Sequence, residues 1–298
     1  MHKAGKDIKS TKFVIITPVK DEEAFIEKTV LSMISQTVRP HKWIIVNDGS
    51  IDKTGEIVQK YAGEHDWIEM INRPPGRARE PGRAVIESFY DGYDSMKNLE
   101  FDFIVKLDGD LSFEPNYFEE IFKRFKRTSK LGIASGSCYV ERGNRLILEK
   151  TPRSHTRGPT KVYKRECWND IGGLVAKLGW DTIDEIKAQM RGWKTRSFNE
   201  LKLVHHRPTG HAGGALKGRI KQGLGAYYLG YHPIFMLVRV VNRIPERPFL
   251  IGALAMWWGF LSGYLKGLEQ FEDPKLRQYL RKKQLERLQF WKVGFKRS

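Results

Sequence analysis

The chain has 298 residues, of which 40% are apolar, so it is long enough for one large domain or two modest ones with a real core. The net charge of +17 favours an anionic partner, which would be nucleic acid, an anionic membrane surface or a phosphorylated substrate. Two cysteines, Cys138 and Cys167, are too few for a disulfide framework, and nothing near them has the spacing of zinc ligands. Residues 1–12 are polar and unlike a signal peptide. We therefore expect structural thiols in a reducing compartment.

Strand and helix patterns alternate from the start of the chain. Continuous apolar runs bounded by turn residues, which are typical of buried strands, occupy residues 13–17, 43–46, 67–71 and 103–107. Helices are predicted between them at residues 21–34, 53–63 and 82–96. This alternation predicts βαβ units and therefore an α/β fold with a mostly parallel sheet.

Carboxylates follow three of the predicted strands. Asp21 and Glu22 come after the first strand, Asp48 after the second, and Asp108 and Asp110 after the fourth. Ligands of open α/β sheets bind where the strands end. Two neighbouring carboxylates are costly unless a positive charge lies between them, and a hard divalent cation that holds a substrate diphosphate meets that need.

These carboxylates also have plainer interpretations. Those after the second and fourth strands could lie in ordinary turns, and Asp21 and Glu22 could simply cap the helix that follows. A calcium-binding loop is a poor match, because Phe113 stands where its sharp turn needs Gly. The sequence has neither GxGxxG after the first strand nor GxxxxGK[ST], which excludes a dinucleotide fingerprint and a P-loop.

The second half is predicted to contain a helix at residues 116–127 and strands at residues 131–140, 194–198 and 201–205. Residues 142–159 are polar, basic and aperiodic, which predicts a loop of a length often found in lids and acceptor-binding segments. The spacing of Ile183, Ile186 and Met190 predicts a further helix, with Asp181 near its start.

Three motifs resemble, in their order and spacing, the nucleotide-sugar domain of the family 2 glycosyltransferases. They are TPVKDE at residues 17–22, NDGS at residues 47–50 and DGD at residues 108–110. The family usually opens with Pro-x-x-Asn-Glu, whereas this chain has Asp21 before Glu22. The resemblance covers about residues 12–205 and implies a Rossmann-like domain of the glycosyltransferase A type.

The resemblance implies a donor site built from these motifs. The substrate-binding residues would be the backbone of Thr17, Pro18 and Val19, together with Asp21, Glu22 and Asp48. Asp108 and Asp110 would lie at the ribose and at the metal-bound diphosphate, with Asp110 as a metal ligand. An Asp at a strand end can accept a hydrogen bond from several bases, so the donor nucleotide stays open.

A basic nucleotide contact is also implied near the start of the helix predicted at residues 82–96. Arg83 falls close to this position, and Arg73, Arg77 and Arg79 compete for it. The plainer interpretation of residues 73–83 is a solvated basic loop.

In an inverting glycosyltransferase a carboxylate takes the proton from the acceptor hydroxyl as the new bond forms. The family carries this base in a Glu-Asp pair that opens a helix, with Gly eleven residues after the Asp. Asp181 and Gly192 have this spacing, whereas Trp180 replaces the Glu. Asp181 is therefore the predicted catalytic base, Asp184 and Glu185 are the alternatives, and the plainer role is a carboxylate favoured by the helix dipole.

Histidines late in such domains often complete the metal site, because neutral imidazole is a metal ligand. His205 and His206 are the candidates, and His211 is a weaker one. Surface or packing roles are the alternative for each. The predicted cofactor is a divalent cation, Mn²⁺ or Mg²⁺.

Two charge-free, aromatic-rich runs follow, at residues 224–238 and 248–265. The second would form a helix of about 27 Å, which is short of the roughly 30 Å of a bilayer's hydrocarbon. Both flanks are basic, so a single crossing would place one of them on the wrong side. Two helices that dip into one leaflet or lie on its surface are therefore predicted, with a buried helical hairpin as the alternative.

Beyond these runs, the segment at residues 276–288 is expected to turn one face to the membrane surface. Its basic side chains are expected to face anionic headgroups, namely those of Arg277, Arg281, Lys282, Lys283 and Arg287. Its leucines are expected to pack inward, namely Leu276, Leu280, Leu285 and Leu288. The runs KGR at residues 217–219, GAYYLGYHP at residues 225–233, GY at residues 263–264 and LRKKQ at residues 280–284 resemble those of a bacterial subgroup of the family, which extends lipid-linked exopolysaccharide or O-antigen intermediates.

The expected organisation is a polar extension at residues 1–11, a catalytic domain at residues 12–210 and a helical, membrane-associated tail at residues 211–298. The expected activity is metal-dependent, inverting, hexosyltransferase-like transfer from a nucleoside-diphosphate sugar to a lipid-linked saccharide at the cytoplasmic face of the membrane. A polyprenyl-phosphate glycosyltransferase is one alternative, since an anionic acceptor needs no base. A non-enzymatic basic protein that binds membrane or nucleic acid is another, although no nucleic-acid motif is present and no such partner is expected.

Overall fold

A computed structural model describes residues 8–75, 82–143, 145–149, 151–207 and 214–294. The predictions that concern residues 1–7, Arg77, Arg79 and His211 lie outside these ranges. The chain divides into two compact units, Met1–Arg207 and Pro208–Ser298.

The first unit alternates strands and helices before it changes to a strand-rich second half. Its strands are β1 (Phe13–Val19), β2 (Lys42–Asn47), β3 (Ile68–Asn72), β4 (Phe103–Leu107), β5 (Leu111–Phe113), β6 (Leu131–Arg142), β7 (Arg145–Leu148), β8 (Thr160–Lys164) and β9 (Lys194–His205). Its helices are α1 (Ile26–Ile34), α2 (Thr54–Glu64), α3 (Arg83–Asp94), α4 (Tyr117–Arg127), α5 (Arg165–Ile171) and α6 (Trp180–Met190). The helices of the second unit are α7 (Ala215–Tyr228), α8 (Pro233–Asn242), α9 (Phe249–Leu265) and α10 (Pro274–Gly294).

The strands form one mixed sheet in the order β3-β2-β1-β4-β8-β6-β9-β5, with β7 paired to β6. Among the described residues, four strand pairings are parallel and four are antiparallel. The prediction of a mostly parallel sheet is therefore wrong. The prediction rested on strands β1 to β4, which helices connect and which are parallel. Strand β8 instead pairs antiparallel with β4. No alternation of strand and helix patterns in the sequence indicates this reversal of direction.

The apolar runs of the central strands supply two hydrophobic cores, one on each face of the sheet. Phe13 and Ile15 of β1 belong to one core, and Val14 and Ile16 belong to the other. Successive side chains of a strand point to opposite faces, so a strand covered by helices on both sides must be apolar throughout. These two cores hold the carboxyl ends of β1, β2 and β4 side by side.

The structure corrects two local predictions. Residues 142–159 were predicted to be a loop, but they contain β7, which forms a hairpin with β6 around Gly143 at φ 58°. The two strands predicted at residues 194–198 and 201–205 are one strand, β9, whose pairing with β6 shifts between Gly136 and Ser137. Such irregularities add residues to one strand only, and a sequence pattern alone does not fix them.

In the second unit, α7 and α9 cross in close contact. A Cβ atom built on Gly223 would lie 1.9 Å from the carbonyl oxygen of Met256, and one on Gly259 would lie 2.1 Å from that of Ile220. Only glycine permits backbones to approach so closely. Within the described part of the chain, none of the helices combines the length and the apolar character needed to span a bilayer.

Helix α10 contains the leucines that were predicted to pack inward and the basic residues that were predicted to face a membrane, and the structure agrees with the prediction for some of the leucines. Leu276 and Leu280 are buried as expected, but Leu285 is 37% exposed. Arg277 donates to Gln270 Oε1 at 2.6 Å and Arg281 Nε donates to the Gly230 carbonyl oxygen at 2.7 Å. These two arginines therefore also hold the unit together.

Candidate functional site

The loops that follow β1 and β2 are tied together by hydrogen bonds that their backbone amides donate. The Asp48 amide donates to the Val19 carbonyl oxygen at 2.8 Å, the Asp21 amide to Ser50 Oγ at 3.0 Å, and the Ile51 amide to Asp21 Oδ1 at 3.0 Å. Asp21 has φ 52°, a conformation that non-glycine residues rarely adopt. Its carboxylate thus fixes the neighbouring loop, which is a structural role beside the predicted contact with substrate.

The predicted donor residues at the end of β1 are partly engaged by the fold. Thr17 is fully buried, and its hydroxyl accepts a hydrogen bond from Trp43 Nε1 at 2.9 Å. Pro18 is half-buried, while Val19 is buried and uses its carbonyl for the loop contact. The roles of Thr17, Pro18 and Val19 in substrate binding stay predictions.

Asp48 has a buried basic partner. Arg73, which follows β3, donates from Nη1 to Asp48 Oδ1 at 2.7 Å, and its Nε lies 2.6 Å from Asp91 Oδ2. Arg83 instead lies in the first turn of α3, where it is exposed and pairs with Glu87 at 2.6 Å. Of the two candidate arginines that the structure describes, Arg73 is therefore the one beside Asp48.

Asp108 is held by a buried lysine that sequence reasoning missed. Lys106 in β4 is 2% exposed, and its ammonium donates to Asp108 Oδ1 and, at 2.9 Å, to the Gly158 carbonyl oxygen. Burial raises the pKa of Asp108, Lys106 opposes this rise and Asp110 adds to it. A charged residue inside an otherwise apolar strand was the available signal.

Asp110 presents an unsatisfied oxygen. The residue is 7% exposed, Oδ2 lies 3.3 Å from His205 Nε2, and Oδ1 is buried with no hydrogen-bond partner in the described ranges. Gly109 allows the chain to pass close to β1 here, because a Cβ atom would lie 2.7 Å from Val19 Cγ1. A buried carboxylate oxygen without a partner costs free energy, and a bound cation would satisfy it.

The two adjacent histidines face different surroundings. Burial lowers the pKa of His205, but Asp110 and Glu149 raise it to about 9 overall. His206 instead contacts Ser112 Oγ at 3.0 Å and stacks on Phe25, and burial lowers its pKa. Of these two histidines, His205 is thus the one whose imidazole lies beside Asp110. His206 reaches Asp110 through its backbone amide, which donates to the Asp110 carbonyl oxygen at 3.0 Å.

Glu22 adds a third carboxylate to this region. Burial, followed by repulsion from Asp110, raises the pKa of Glu22 to about 7, while Arg207 opposes the rise. Arg207 Nη2 lies 2.7 Å from Glu22 Oε2, a pairing that the sequence did not predict. Oxygen and imidazole donors of this kind suit Mn²⁺ or Mg²⁺, so the residues at this edge of the sheet fit the predicted cation.

Asp181 lies in the first turn of α6 with its side chain half-buried. A Cβ atom built on Gly158 would lie 3.8 Å from Asp181 Oδ2, and the Gly158 carbonyl binds Lys106. Residue 158 therefore lies between the predicted base and the Lys106–Asp108 pair. Gly192, with φ 82°, follows the end of α6, which accounts for the spacing seen in the sequence.

Trp180, which replaces the family's Glu, is buried between two lysines. The ammonium groups of Lys106 and Lys161 lie 5.3 Å and 5.4 Å from its ring centroid. Lys161 also donates to the Asp181 carbonyl oxygen at 2.5 Å. Lys161, which sequence reasoning missed, therefore fixes the backbone of the predicted base. Attraction between the two ammonium groups and the indole ring of Trp180 stabilises this packing.

Asp184 and Glu185, the alternatives for the base, lie on the buried face of α6. Lys161 lies 2.8 Å from both oxygens of Asp184, and Tyr163 donates to Asp184 at 2.5 Å. Glu185 binds His155 Nδ1 at 2.9 Å and the backbone and hydroxyl of Thr156. With 1% and 5% exposure they are inaccessible to an acceptor, so their role is structural.

Comparisons with known proteins agree with this geometry. The family described as Glycosyl transferase family 2 matches residues 14–178, which is more than half of the chain. Glycosyltransferase GlyA of Streptococcus pneumoniae is 29% identical over 132 residues, which are 43% of this chain and 17% of that protein. Poly-beta-1,6-N-acetyl-D-glucosamine synthase of Staphylococcus aureus is 25% identical over 247 residues, which are 76% of this chain and 57% of that protein.

The chain thus spans less than two thirds of these curated relatives. Among solved structures, the mannosyltransferase PcManGT from Pyrobaculum calidifontis, in complex with GDP-Man and Mn²⁺, is similar with a TM-score of 0.55 at 14% identity. That match covers 93% of this chain and 86% of the other, and it shows a shared fold. With the family match over the strands and loops that carry Asp48, Asp108 and Asp110, the chain belongs to family 2 of the glycosyltransferases.

Proposed function

We propose that the chain transfers a sugar, with inversion, from a nucleoside-diphosphate sugar to a hydroxyl of a lipid-linked saccharide. The observation that carries this proposal is the arrangement around Gly158, with Asp181 on one side and the Lys106–Asp108 pair on the other. A donor site and a base must be neighbours for an acceptor to attack the sugar.

The donor nucleotide would lie across the ends of β1, β2 and β4. Asp48, oriented by Arg73, suits a base or ribose contact, and Asp108 suits the ribose. Asp110 and His205 would hold the divalent cation, with Glu22 nearby. When bound, such a cation screens the negative charge of the leaving diphosphate.

Asp181 would receive the proton of the acceptor hydroxyl. As the proton leaves, the hydroxyl oxygen bonds to the anomeric carbon and the bond to the nucleoside diphosphate breaks, which inverts the configuration. Lys161 and Trp180 would keep the first turn of α6 in place. The buried carboxylates Asp184 and Glu185 keep Lys161 charged and fixed.

Cell-surface polysaccharide synthesis at the cytoplasmic face of the membrane is the proposed setting. Its support is the likeness to the poly-beta-1,6-N-acetyl-D-glucosamine synthase and the basic, apolar character of the second unit. A peripheral or monotopic attachment through this unit would bring the enzyme to acceptors that reside in the bilayer. The non-enzymatic alternative does not suit a member of this family.

A thermal-shift screen with UDP, GDP, dTDP and CMP, each with and without Mn²⁺, tests the donor site. We expect one nucleotide to raise the melting temperature in a metal-dependent way, because ligands that bind only the folded state stabilise it. Asp110→Asn is expected to abolish the metal-dependent part. Stabilisation by none of the nucleotides would contradict the proposal.

The configuration of the transferred sugar tests inversion. NMR of the product formed from the stabilising donor is expected to show the anomeric configuration opposite to that of the donor. Retention of configuration would contradict the role of Asp181 as a base in direct displacement.

A further inference from the structure

Next to the proposed catalytic cation site, three metal-ligating side chains from different strands come together. Cys138 lies in β6, Glu149 follows β7 and His205 ends β9, and one ligand atom of each lies within 4.8 Å of the others. The Glu149 amide donates to the Cys138 carbonyl oxygen at 2.9 Å, and Cys138 pairs with Leu203 across β6 and β9. Backbone contacts therefore bring these side chains together.

His205 has a buried, unsatisfied nitrogen on this side. Its Nε2 faces Asp110 at 3.3 Å, whereas Nδ1 lies 3.5 Å from Glu149 Oε2. This Nδ1 is buried and lacks a hydrogen-bond partner in the described part of the chain, and the residue is 7% exposed. Such a nitrogen costs free energy unless a ligand satisfies it.

We propose that Cys138, Glu149 and His205 form a second cation site, which selects a thiophilic divalent ion such as Zn²⁺. A thiolate and an imidazole favour zinc, whereas an oxygen-rich set such as Asp108, Asp110 and Glu22 favours Mn²⁺ or Mg²⁺. The thiol proton leaves to solvent as the metal–sulfur bond forms. Three protein ligands leave a fourth tetrahedral position for water.

The geometry needs only a small adjustment. Ligand atoms around one tetrahedral zinc lie roughly 3.5 Å apart. The present separations of up to 4.8 Å would therefore shorten by up to about 1.3 Å. Glu149 Oε2 now lies 2.8 Å from Arg157 Nη2, and a metal would replace this contact. Rotation of the Glu149 side chain can release Arg157 and move its own carboxylate towards the metal, while Cys138 and His205 approach each other by small side-chain shifts.

The two cation sites share His205. An ion bound at Nδ1 would compete for the imidazole that Nε2 presents to Asp110, so zinc is expected to inhibit sugar transfer. This consequence rests on the proposed function, whereas binding of the ion does not. The sequence-based expectation that both thiols are purely structural would then hold for Cys167 alone.

Titration of the purified chain with Co²⁺ tests the site without any assay of transfer. Cobalt bound to a thiolate gives a near-ultraviolet charge-transfer band that oxygen and nitrogen ligands do not give. We expect this band with one equivalent of Co²⁺, its displacement by Zn²⁺ and its loss in Cys138→Ser. Cys167→Ser is the matched control and is expected to keep the band, because the chain has only these two cysteines.

A band that is absent from the natural chain, survives in Cys138→Ser or disappears in a folded Cys167→Ser would overturn the site. Circular dichroism checks that each variant folds. If Cys138→Ser does not fold, Glu149→Gln decides, since loss of a ligand should weaken cobalt binding by roughly tenfold or more. Unchanged cobalt affinity in Glu149→Gln would refute the site, whereas failure of nucleotides to stabilise the chain would refute only the proposed function.

Discussion

Among single residues, the three carboxylates of α6 differ in what they can reach. Asp184 and Glu185 are nearly inaccessible and are bound by Lys161, whereas the Asp181 side chain is half-buried beside Gly158. A general base must come within hydrogen-bond distance of the proton that it abstracts. Accessibility therefore favours Asp181 over the other two.

Replacement of Asp181 by Asn keeps the size of the side chain but removes the proton acceptor. We expect turnover with a hydroxyl acceptor to fall about 100- to 10,000-fold, while stabilisation by the donor nucleotide is retained. Initial rates and melting temperatures measure the two effects. Asp94→Asn, which alters a carboxylate paired with Lys97 at the surface of α3, is the control and should retain activity. Near-normal turnover in Asp181→Asn would favour a polyprenyl-phosphate acceptor, which needs no base.

Glu22 makes stability depend on pH. Burial and Asp110 raise its pKa from 4.5 to about 7, so the folded chain binds this proton more tightly than the unfolded chain does. The contribution of Glu22 to stability is therefore present below pH 4.5 and is lost as pH rises to about 7. Glu22→Gln, which cannot ionise, is expected to stabilise the metal-free protein above this range and to leave it unchanged below.

The expected gain is on the order of 1 kcal/mol, or about 2–4 °C in Tm for a domain of this size. Thermal unfolding in the presence of a chelator measures it across the pH range. Loss of the contact with Arg207 should cost little, because that side chain is 47% exposed. Glu23→Gln, which changes an exposed carboxylate one residue away, is the matched control. A destabilised Glu22→Gln at high pH would count against the raised pKa.

Among secondary-structure elements, α6 depends on a charge in β8. Lys161 is fully buried, and it binds Asp184, Glu185 and the Asp181 carbonyl. Removing one partner of a buried ion pair leaves the other charges uncompensated. The position of the predicted base is therefore coupled to the stability of the first unit.

Lys161→Met preserves much of the side-chain volume and removes the charge. We expect it to lower the free energy of unfolding by about 3–5 kcal/mol, which urea denaturation can measure. Lys164→Met is the matched control on the same strand, where the lysine side chain is 29% exposed and its pairing with Glu166 contributes little. Equal losses in the two variants would show that Lys161 has no special role beneath α6.

The sequence predicts those features that local patterns determine. The apolar strands and the carboxylates that follow them are local, and the structure places Asp48, Asp108 and Asp110 at the ends of β2 and β4 as expected. Lys106 binds the nearby Asp108 and was missed although a charge inside an apolar strand was a local signal. Lys161 escaped prediction because its partner Asp184 lies 23 residues away in the chain. The antiparallel return of β8 was missed for the same reason, since pairing between distant strands leaves no periodic signal.

In the molecule as a whole, excess positive charge accompanies exposed apolar surface in the second unit. Residues 266–298 contain ten Lys or Arg and four acids. The exposed apolar side chains of α8 and α9 include Ile234, Leu237, Val241, Phe249, Leu250, Ile251, Leu254, Trp258 and Leu265. Apolar surface of this extent marks interaction sites, and a basic unit suits the anionic surface of a membrane.

Vesicles that contain anionic lipid are therefore expected to retain the chain in sedimentation assays, and added salt should weaken this retention. Ile251 is 64% exposed on α9, and Ile251→Asp should weaken binding by at least about tenfold, because an inserted Ile buries apolar area worth roughly 1.5–3 kcal/mol. Ile51→Asp is the matched control, since Ile51 is 90% exposed in the first unit, and should bind as the natural chain does. If both variants lost affinity equally, charge alone would explain retention and the apolar faces of α8 and α9 would need another partner.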